Sequence, residues 1–314
     1  MPESAICCFG IYKKVIILEK TFRRKSVIIM FVAPAFIIYT LLVIVSVIWA
    51  TGYSFFDWDG LREMRFVGFQ NYTKMLTQDR NFWPIFRNTL VYTVIQIAIQ
   101  VFGGLLLAIF LTRINNKIRV GLQTLYYVPV VISSVAICQI FNKIFSVTPT
   151  GVLNSFLSLF NPDWAKIGWL TTTQLSLGSA AFVEGYKFAG LYMVIFYAAL
   201  IGVPSDLAEA AEIDGASVFR QYWSVKIPYI FPVIITNCVL VLNGSLRSFD
   251  VSYLLTGGGP GNSSELLAAY MYKQAFTSMK YGYGSTIAVA IVVLCLVLGT
   301  SFRRISERIG ERLE

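Results

Sequence analysis

One polar stretch decides how the fold of this chain is interpreted: Glu209-Ala210-Ala211-Glu212-Ile213-Asp214-Gly215-Ala216, followed by an aromatic run and closed by Pro228. Long, strongly apolar segments lie on both sides of it. The stretch combines acidic and small residues with one glycine, which predicts two short helices joined by a turn over residues 204–228. A hydrophilic loop of this regularity, held between apolar segments, is typical of a surface on which another protein docks.

The chemistry of this loop also predicts where its helices begin and end. The proline before it ends the preceding helix, and either Ser205 or Asp206 can cap the first short helix. Asp206 with Glu209 three residues later approximates a capping box. Asp214 is followed by Gly215, which adopts the positive φ of a turn without steric cost.

Three aromatic side chains mark the second short helix. Phe219, Tyr222 and Trp223 are three and four residues apart, so they are predicted to share one helical face. We expect this face to be partly folded under the membrane-spanning part of the chain and partly buried in a partner. A pair of amphipathic helices at the membrane interface, without any partner, is the alternative that the residues alone leave open.

Outside the loop, apolar blocks are separated by charged residues. A helix rises about 1.5 Å per residue and needs roughly 20 residues to cross the hydrocarbon core of a bilayer. The blocks lie at residues 25–57, 88–112, 120–142, 176–205, 227–246 and 281–302. Blocks of this length are not the alternating strands of a barrel. The sequence therefore predicts an all-α, polytopic membrane protein with six transmembrane helices over residues 27–304, an N-terminal segment 1–26 and a tail 305–314.

The positive residues of the chain lie mainly in alternate loops. The segment 1–26, the short loops near residues 113–119 and 220–226, and the tail hold most of the 26 Lys and Arg. The positive-inside rule places these parts, and hence both termini and the 204–228 loop, in the cytosol. Because the positive charges flank apolar blocks, the net charge of +9 indicates orientation in a bilayer rather than nucleic-acid binding.

Composition argues against an enzyme. The chain is 56% hydrophobic and 14% charged, whereas a soluble domain carries about a quarter charged residues. It has no histidine, which removes both a histidine general base and histidine metal ligands. None of its five cysteines forms a Cys-x-x-Cys pair. We therefore expect no catalytic residue, metal or cofactor on this chain.

The polar stretch from Glu209 to Ala216, the aromatic positions after it and Pro228 together closely resemble the permease signature of bacterial ABC importers. A second motif resembles the maltose-type group, whose members are binding-protein-dependent sugar permeases: Leu254-Leu255-Thr256-Gly257-Gly258-Gly259-Pro260, followed by Tyr270, Tyr272 and Tyr281-Gly282-Tyr283-Gly284. The resemblance covers roughly residues 88–304. It implies the type I ABC importer permease fold and the import of oligosaccharides or related sugars.

The resemblance also implies partners and site residues. The 204–228 loop would be a coupling helix that enters a cleft on an ATPase, with these residues in it: Glu209, Ala210, Ala211, Asp214, Gly215, Ala216 and Pro228. The sequence holds no Gly-x-x-x-x-Gly-Lys-[Ser/Thr] motif, so ATP–Mg is expected on a separate ATPase dimer. A second homologous permease and an extracytoplasmic solute-binding protein complete the expected assembly, in the bacterial cytoplasmic membrane.

Polar residues inside the fourth and fifth blocks are candidates for the sugar path. A polar group within a span is costly and usually faces protein or a cavity, and a sugar is held by polar and aromatic side chains. The candidates are Glu184, Tyr186 and Lys187 in the fourth block and Asn243, Arg247 and Asp250, predicted on one helical stripe, in the fifth. Ser245 and Ser248 are added by the resemblance alone. Alternatively, the charged pairs 184/187 and 247/250 are ion pairs at helix ends.

Two other functions stay open at this point. One is a membrane channel or scaffold without an energy source, and the other is an ABC importer for a solute other than a sugar. The coupling loop argues against the first function, and the glycine-rich motif argues against the second only by resemblance.

Overall fold

The computed structural model of the protein describes the backbone of residues 25–310 and the side chains of residues 29–304. The predicted N-terminal segment 1–26 therefore lies outside the described residues except for its last two positions. Of the predicted tail 305–314, only the backbone of residues 305–310 is described. The described part is helical apart from loops and one antiparallel pair of two-residue strands, β1 (Phe56–Asp57) and β2 (Arg65–Phe66).

The chain divides into two compact units, Met1–Tyr53 and Ser54–Glu314. The described part of the first unit is one helix, α1, made of Lys25–Tyr39, the π-helical stretch Thr40–Ile44 and Val45–Tyr53. Its apolar portion Ile29–Tyr53 has a mean hydropathy of 2.6, and none of it is buried. A helix that is apolar on all sides is stable only in lipid or against protein.

The second unit contains all the remaining helices. The first six α-helices are α2 (Gln70–Thr73, continued by the π-helical stretch Lys74–Gln78), α3 (Phe82–Thr112), α4 (Asn116–Val131), α5 (Ser134–Ile144), α6 (Val152–Ser158) and α7 (Ser176–Ile201), with the short 3-10 helix Pro162–Lys166 between α6 and α7. They are followed by α8 (Ser205–Ile213), α9 (Val218–Tyr229), α10 (Phe231–Leu246), α11 (Asp250–Thr256), α12 (Leu267–Tyr272) and α13 (Tyr281–Gly310).

Four of the described helices are by themselves long and apolar enough to cross a membrane: α1, α3, α7 and α13. The pairs α4–α5 and α9–α10 qualify only as bent spans, with bends of 102° and 67°. The described residues thus contain up to six spans, as predicted, but the third and fifth are broken rather than straight.

The bend between α4 and α5 has a local cause. Ile132 leaves the helical conformation at a ψ of 139°, and Ser133 caps α5 by accepting a hydrogen bond from the Ala136 amide at 3.3 Å. Pro129 inside α4 removes one backbone donor from the preceding turn. Hydropathy does not register these effects, so the apolar block at residues 120–142 contains no sign of the bend.

The core of the second unit forms where α7 packs closely against α3 and α4. A Cβ added at Gly104 of α3 would lie 3.1 Å from the Met193 amide nitrogen of α7. A Cβ added at Gly190 of α7 would overlap the carbonyl oxygen of Tyr126 in α4. Small residues at helix crossings allow backbones to approach closely, which is the usual way in which membrane helices associate.

Candidate functional site

The predicted polar loop forms an elbow, residues 204–230, that consists of α8, a tight turn and α9. Helix α8 begins at Ser205 with Pro204 at the N-cap position, and no side chain caps it. The predicted capping box from Asp206 to Glu209 is therefore wrong. Ser205 is already the first helical residue, and its hydroxyl donates to the neighbouring Asp206 carboxylate at 3.3 Å. Asp206 still lies in the first turn, where its negative charge interacts favourably with the positive end of the helix dipole.

The turn of the elbow has the geometry predicted for Asp214-Gly215. Gly215 has a φ of +76°, and its amide donates to the Glu212 carbonyl at 2.9 Å. The Ala216 amide donates to the Ala211 carbonyl at 2.9 Å. This pair of bonds is a Schellman motif, which ends a helix with a residue in the left-handed conformation.

A second set of bonds ties the turn to α9. The Ser217 hydroxyl caps α9 by accepting from the Arg220 amide at 3.4 Å. The Gln221 side chain donates to the Ala216 carbonyl at 3.3 Å. Both helices are therefore bonded to the same turn, which restricts their motion relative to each other.

Helix α8, the outer half of the elbow, is largely exposed. Helix α8 buries none of its residues, and Ile213 is 87% exposed. Of the predicted coupling residues, Glu209, Ala210, Asp214 and Gly215 are exposed, whereas Ala211, Ala216 and Pro228 are half-buried. Helix α8 therefore leaves most of its surface, Ile213 included, open to a partner.

The predicted common face of the three aromatic residues is wrong. Phe219 and Trp223 are 70% and 56% exposed and their rings contact each other at 5.9 Å, but Tyr222 is only 6% exposed. Residues four apart align along a helix, while Tyr222 lies on the next ridge and opens a π-helical stretch that turns it inward. The elbow therefore has an exposed aromatic pair and a separate buried tyrosine.

Two of the predicted path residues, Glu184 and Ser248, belong to a buried hydrogen-bonded cluster with Tyr92, which we call the clasp, and do not form an open surface. Glu184 of α7 is 8% exposed, and one of its carboxylate oxygens accepts bonds from Tyr92 of α3 at 2.5 Å and from Ser248 at 2.6 Å. The clasp joins α3, α7 and the break between α10 and α11. Burial with full hydrogen bonding is how a carboxylate is tolerated among apolar helices.

Two further candidates are also satisfied inside the bundle. Lys187 is 6% exposed and donates to the Ser134 hydroxyl at 2.7 Å, and the buried Ser245 donates to its own helix at the Val241 carbonyl at 2.7 Å. No contact within 4.0 Å pairs Lys187 with Glu184, so the alternative of an ion pair does not hold for these two described residues.

The remaining candidates lie near the break that separates α10 from α11 or are open on α7. Arg247 and Asp250 are exposed, Asn243 is half-buried, and Tyr186 is 43% exposed. The Arg247 guanidinium donates to the Asn243 carbonyl at 3.0 Å. The predicted single stripe is wrong, because the helix stops at Leu246 and Asp250 starts a new one. Exposed charges next to an apolar span require water or another polar protein surface around them.

A row of contacting aromatic rings, which we call the aromatic ladder, begins at this break. Its six rings touch in sequence, with centroid distances of 4.8 to 5.9 Å: Phe249, Tyr253, Tyr272, Phe276, Tyr281 and Trp58. The hydroxyls of Tyr253 and Tyr272 make no hydrogen bond within the described part of the chain. Of the five tyrosines that are buried in the described part, four have bonded hydroxyls: Tyr92, Tyr222, Tyr270 and Tyr283. The ladder thus offers ring surface together with open hydroxyl groups.

The glycine-rich run is a turn, as predicted. Gly257 and Gly258 have φ values of 60° and 86°. Lys273 donates to the Gly257 carbonyl at 2.8 Å and pairs with the buried Glu265 carboxylate at 2.8 Å. Among the described residues, no group of three or more Asp, Glu or Cys side chains is arranged to hold a metal ion.

Comparison with known proteins was made for the sequence and the fold. The profile of the family described as "Binding-protein-dependent transport system inner membrane component" matches residues 100–313. The chain belongs to this family. It is therefore a component of a membrane transport system rather than an enzyme.

Individual relatives and a solved structure agree with this assignment. The probable ABC transporter permease protein YurN of Bacillus subtilis is 32% identical to this permease over 278 residues, which are 88% of this chain and 94% of YurN. AmyD of Thermoanaerobacterium thermosulfurigenes, a probable starch degradation products transport system permease protein, is 31% identical over 269 residues, with 86% and 90% covered.

A chain of the bacterial alginate ABC transporter, solved with a periplasmic protein that holds an alginate pentasaccharide, superposes on the permease with a TM-score of 0.80. The match covers 93% of this chain and 97% of that one, at 22% identity. At such an identity the similarity shows the fold alone. The predicted type I ABC importer permease fold is confirmed.

Two side-chain contacts at the candidate site were missed by the sequence analysis: the Glu184–Tyr92 bond and a bond between the Tyr222 and Thr112 hydroxyls at 2.5 Å. Tyr92 precedes Gln96 and Gln100 by four and eight positions, so a polar stripe along α3 was visible in the sequence. Nothing in the sequence marks Thr112 as the partner of Tyr222.

Proposed function

We propose that this permease is the membrane-spanning subunit of an ATP-driven, binding-protein-dependent importer of oligosaccharides, and that it forms half of the translocation pathway with a second homologous permease. The observation that carries the proposal is the elbow, whose two helices are bonded to one Schellman turn and which is exposed at its tip and continuous with a span on each side. In a family of binding-protein-dependent transport components, such an elbow is suited to receive motion from an ATPase dimer that holds ATP–Mg.

The sugar class is supported by chemistry and by relatives. AmyD is named for starch degradation products, and the alginate transporter was solved with a periplasmic protein that carries a pentasaccharide. The aromatic ladder starts next to the exposed Asp250 and combines rings with unbonded hydroxyls. Pyranose rings present C–H faces and hydroxyl rims, which such a surface complements. We place the sugar path along Asn243, Arg247 and Asp250, with the ladder leading to it.

The proposed mechanism is alternating access. ATP closes the ATPase dimer, and the elbows of both permeases are displaced together. The spans then turn to an outward-facing arrangement, and a loaded extracytoplasmic binding protein releases sugar into the cavity. ATP hydrolysis restores the inward-facing state. Glu209, Ala210, Ala211 and Gly215 act here by shape and position rather than by reactivity.

The proposal also places the chain in the membrane. The elbow and both termini lie in the cytosol of a bacterial cell, and the spans cross its cytoplasmic membrane. The basis is the alternation of Lys and Arg among the loops, in accord with the positive-inside rule.

The direct test is reconstitution of the permease in vesicles with its ATPase, second permease and binding protein. A panel of neutral oligosaccharides, acidic oligosaccharides and amino acids is offered through the binding protein. We expect sugar-loaded binding protein to stimulate ATP hydrolysis and to drive sugar uptake. Uptake that proceeds without ATP would favour an uncoupled channel, and stimulation by amino acids alone would remove the sugar assignment.

A further inference from the structure

Two buried side chains anchor the inner half of the elbow in the core, Ile230 and Tyr222, and of these two only Tyr222 can form a side-chain hydrogen bond. Its ring is buried in the same apolar cluster as Leu111 of α3 and Phe196 of α7. The Tyr222 hydroxyl donates to the hydroxyl of Thr112, the last residue of α3, at 2.5 Å. The Thr112 hydroxyl donates its single proton to the Ile109 carbonyl at 2.6 Å. In the bond with Tyr222 the Thr112 oxygen is therefore the acceptor.

Two cations hold the same ring. The Arg113 guanidinium lies 5.1 Å and the Lys226 ammonium 4.8 Å from the Tyr222 ring centroid. Arg113 follows Thr112 at the end of α3, and Lys226 belongs to the elbow itself. The ring therefore has one cation–π contact from the end of α3 and one from the elbow. Cation–π attraction is strongest where the ring is buried.

The elbow is bonded covalently to α7 and to α10, which are its neighbours in the chain. It has no covalent link to α3, which lies about a hundred residues earlier. Tyr222 supplies a hydrogen-bonded connection between them. A path of bonds therefore runs from α8 through the Gly215 turn and α9 to α3.

We propose that Tyr222 is the positioning residue that makes α3 move with α7 and α10 when the elbow is displaced. This inference rests on the proposed function of the permease as the driven subunit of an ATP-dependent importer. The hydrogen bond to Thr112 sets the register between elbow and α3, while the two cations keep the ring in place.

The test is Tyr222→Phe, which removes the hydroxyl and keeps the ring and both cation contacts. Thr112→Val removes the hydroxyl on the other side of the bond, whereas Thr112→Ser keeps a hydroxyl there. Tyr229→Phe is the control, because it removes the hydroxyl of a tyrosine that is 51% exposed. Sugar uptake and ATP hydrolysis are measured in the same vesicles, together with assembly and melting temperature of the complex.

We expect Tyr222→Phe and Thr112→Val to lower the uptake per ATP roughly threefold to tenfold, the range of one net hydrogen bond. Assembly and basal ATP hydrolysis should stay near wild type, and the double variant should be no worse than either single variant because both remove one bond. Thr112→Ser and Tyr229→Phe should retain the wild-type ratio.

A second readout follows the motion itself. Spin labels are placed at the exposed positions Phe110 of α3 and Ser224 of the elbow, in a variant without natural cysteines. We expect one narrow distance distribution with and without ATP in the parent, and a broad, ATP-dependent one in Tyr222→Phe. An unchanged distribution and uptake ratio in Tyr222→Phe would overturn the inference, as would parallel losses of assembly, basal hydrolysis and uptake. If the parent complex itself shows no ATP-driven uptake, the proposed function fails instead.

Discussion

At the scale of one residue, the backbone angle of Gly215 decides whether the elbow keeps its shape. Its φ of +76° lies in the left-handed region, and a Cβ added there would meet no atom within 4 Å. The cost of a substitution is therefore conformational rather than steric. A residue with a side chain branched at Cβ pays about 1–2 kcal/mol in that region, whereas asparagine tolerates it.

We therefore expect Gly215→Asn to retain most ATP-driven uptake and Gly215→Val to lose most of it. Membrane insertion of both should match the parent, because the span on either side of the elbow is untouched. Uptake normalised to the amount of permease in the membrane checks this. Equal activity of the two variants would show that the angle is not needed.

Glu184 is a buried carboxyl group with one oxygen that accepts two hydrogen bonds. Replacement by leucine leaves the Tyr92 and Ser248 hydroxyls without an acceptor in the core, at about 1–3 kcal/mol for each. Glu184→Gln keeps a carbonyl oxygen that can accept both bonds. We expect Glu184→Leu to lower the melting temperature in detergent by several degrees and Glu184→Gln to change it little, with the exposed Glu63→Leu as control.

Arg247 differs from Glu184 because its charge is exposed at the break after α10. We expect Arg247→Ala to change the sugar concentration at half-maximal uptake, or the uptake per ATP, without loss of assembly, since no described ion pair depends on this side chain. Arg247→Lys tests whether the positive charge alone suffices. Arg80→Ala, another exposed arginine, is the control, and unaltered kinetics of Arg247→Ala would remove this residue from the sugar path.

At the scale of one element, α2 and its π-helical continuation are held by Asp79. The Asp79 carboxylate accepts bonds from the hydroxyls of Tyr270 at 2.5 Å and of Tyr283. Burial first, and then the bond to Asp79, raises the pKa of Tyr270 above its usual value. A raised pKa means that the bond is present at neutral pH and is lost only as the pH rises through that higher value.

We expect Asp79→Ala to increase amide hydrogen exchange across residues 70–78 and at Asn81, whose amide donates to the Asp79 carboxylate at 2.9 Å, while exchange in the middle of α3 stays unchanged. The physical reason is that the segment loses its bonds to α12 and α13 together. Asp163→Ala, which alters an acidic residue of a different loop, is the matched control. Unchanged protection of residues 70–78 in Asp79→Ala would show that apolar contacts suffice to hold the segment.

At the scale of the whole molecule, the orientation of the elbow can be tested by labelling. Cysteine is placed at Ile213, at the tip of the elbow, or at the exposed Thr277, between α12 and α13. In vesicles of known sidedness, a membrane-impermeant maleimide should reach Ile213→Cys from the cytosolic side only and Thr277→Cys from the opposite side only. Added ATPase subunits should protect Ile213→Cys and leave Thr277→Cys reactive.

Features that depend on local physics could be predicted from the amino-acid sequence. Long apolar blocks fixed the number and approximate place of the spans, since hydropathy over roughly 20 residues is sufficient for a bilayer crossing. Gly215 and the run at Gly257 fixed two turns, because positive φ is a property of single residues. The resemblance of the elbow motif placed the chain in a transport family before any contact was known.

Which polar groups are hydrogen-bonded inside the bundle, and which stay exposed, depends on how the helices pack against one another. Glu184 finds Tyr92 across 92 residues, and Tyr222 finds Thr112 across 110. Such pairings depend on how the helices cross, and crossings are set by small residues and bends whose effects a one-dimensional pattern does not contain. For the same reason the sequence placed Tyr222 on the face of Phe219 and Trp223, whereas packing against α3 turned it into the core.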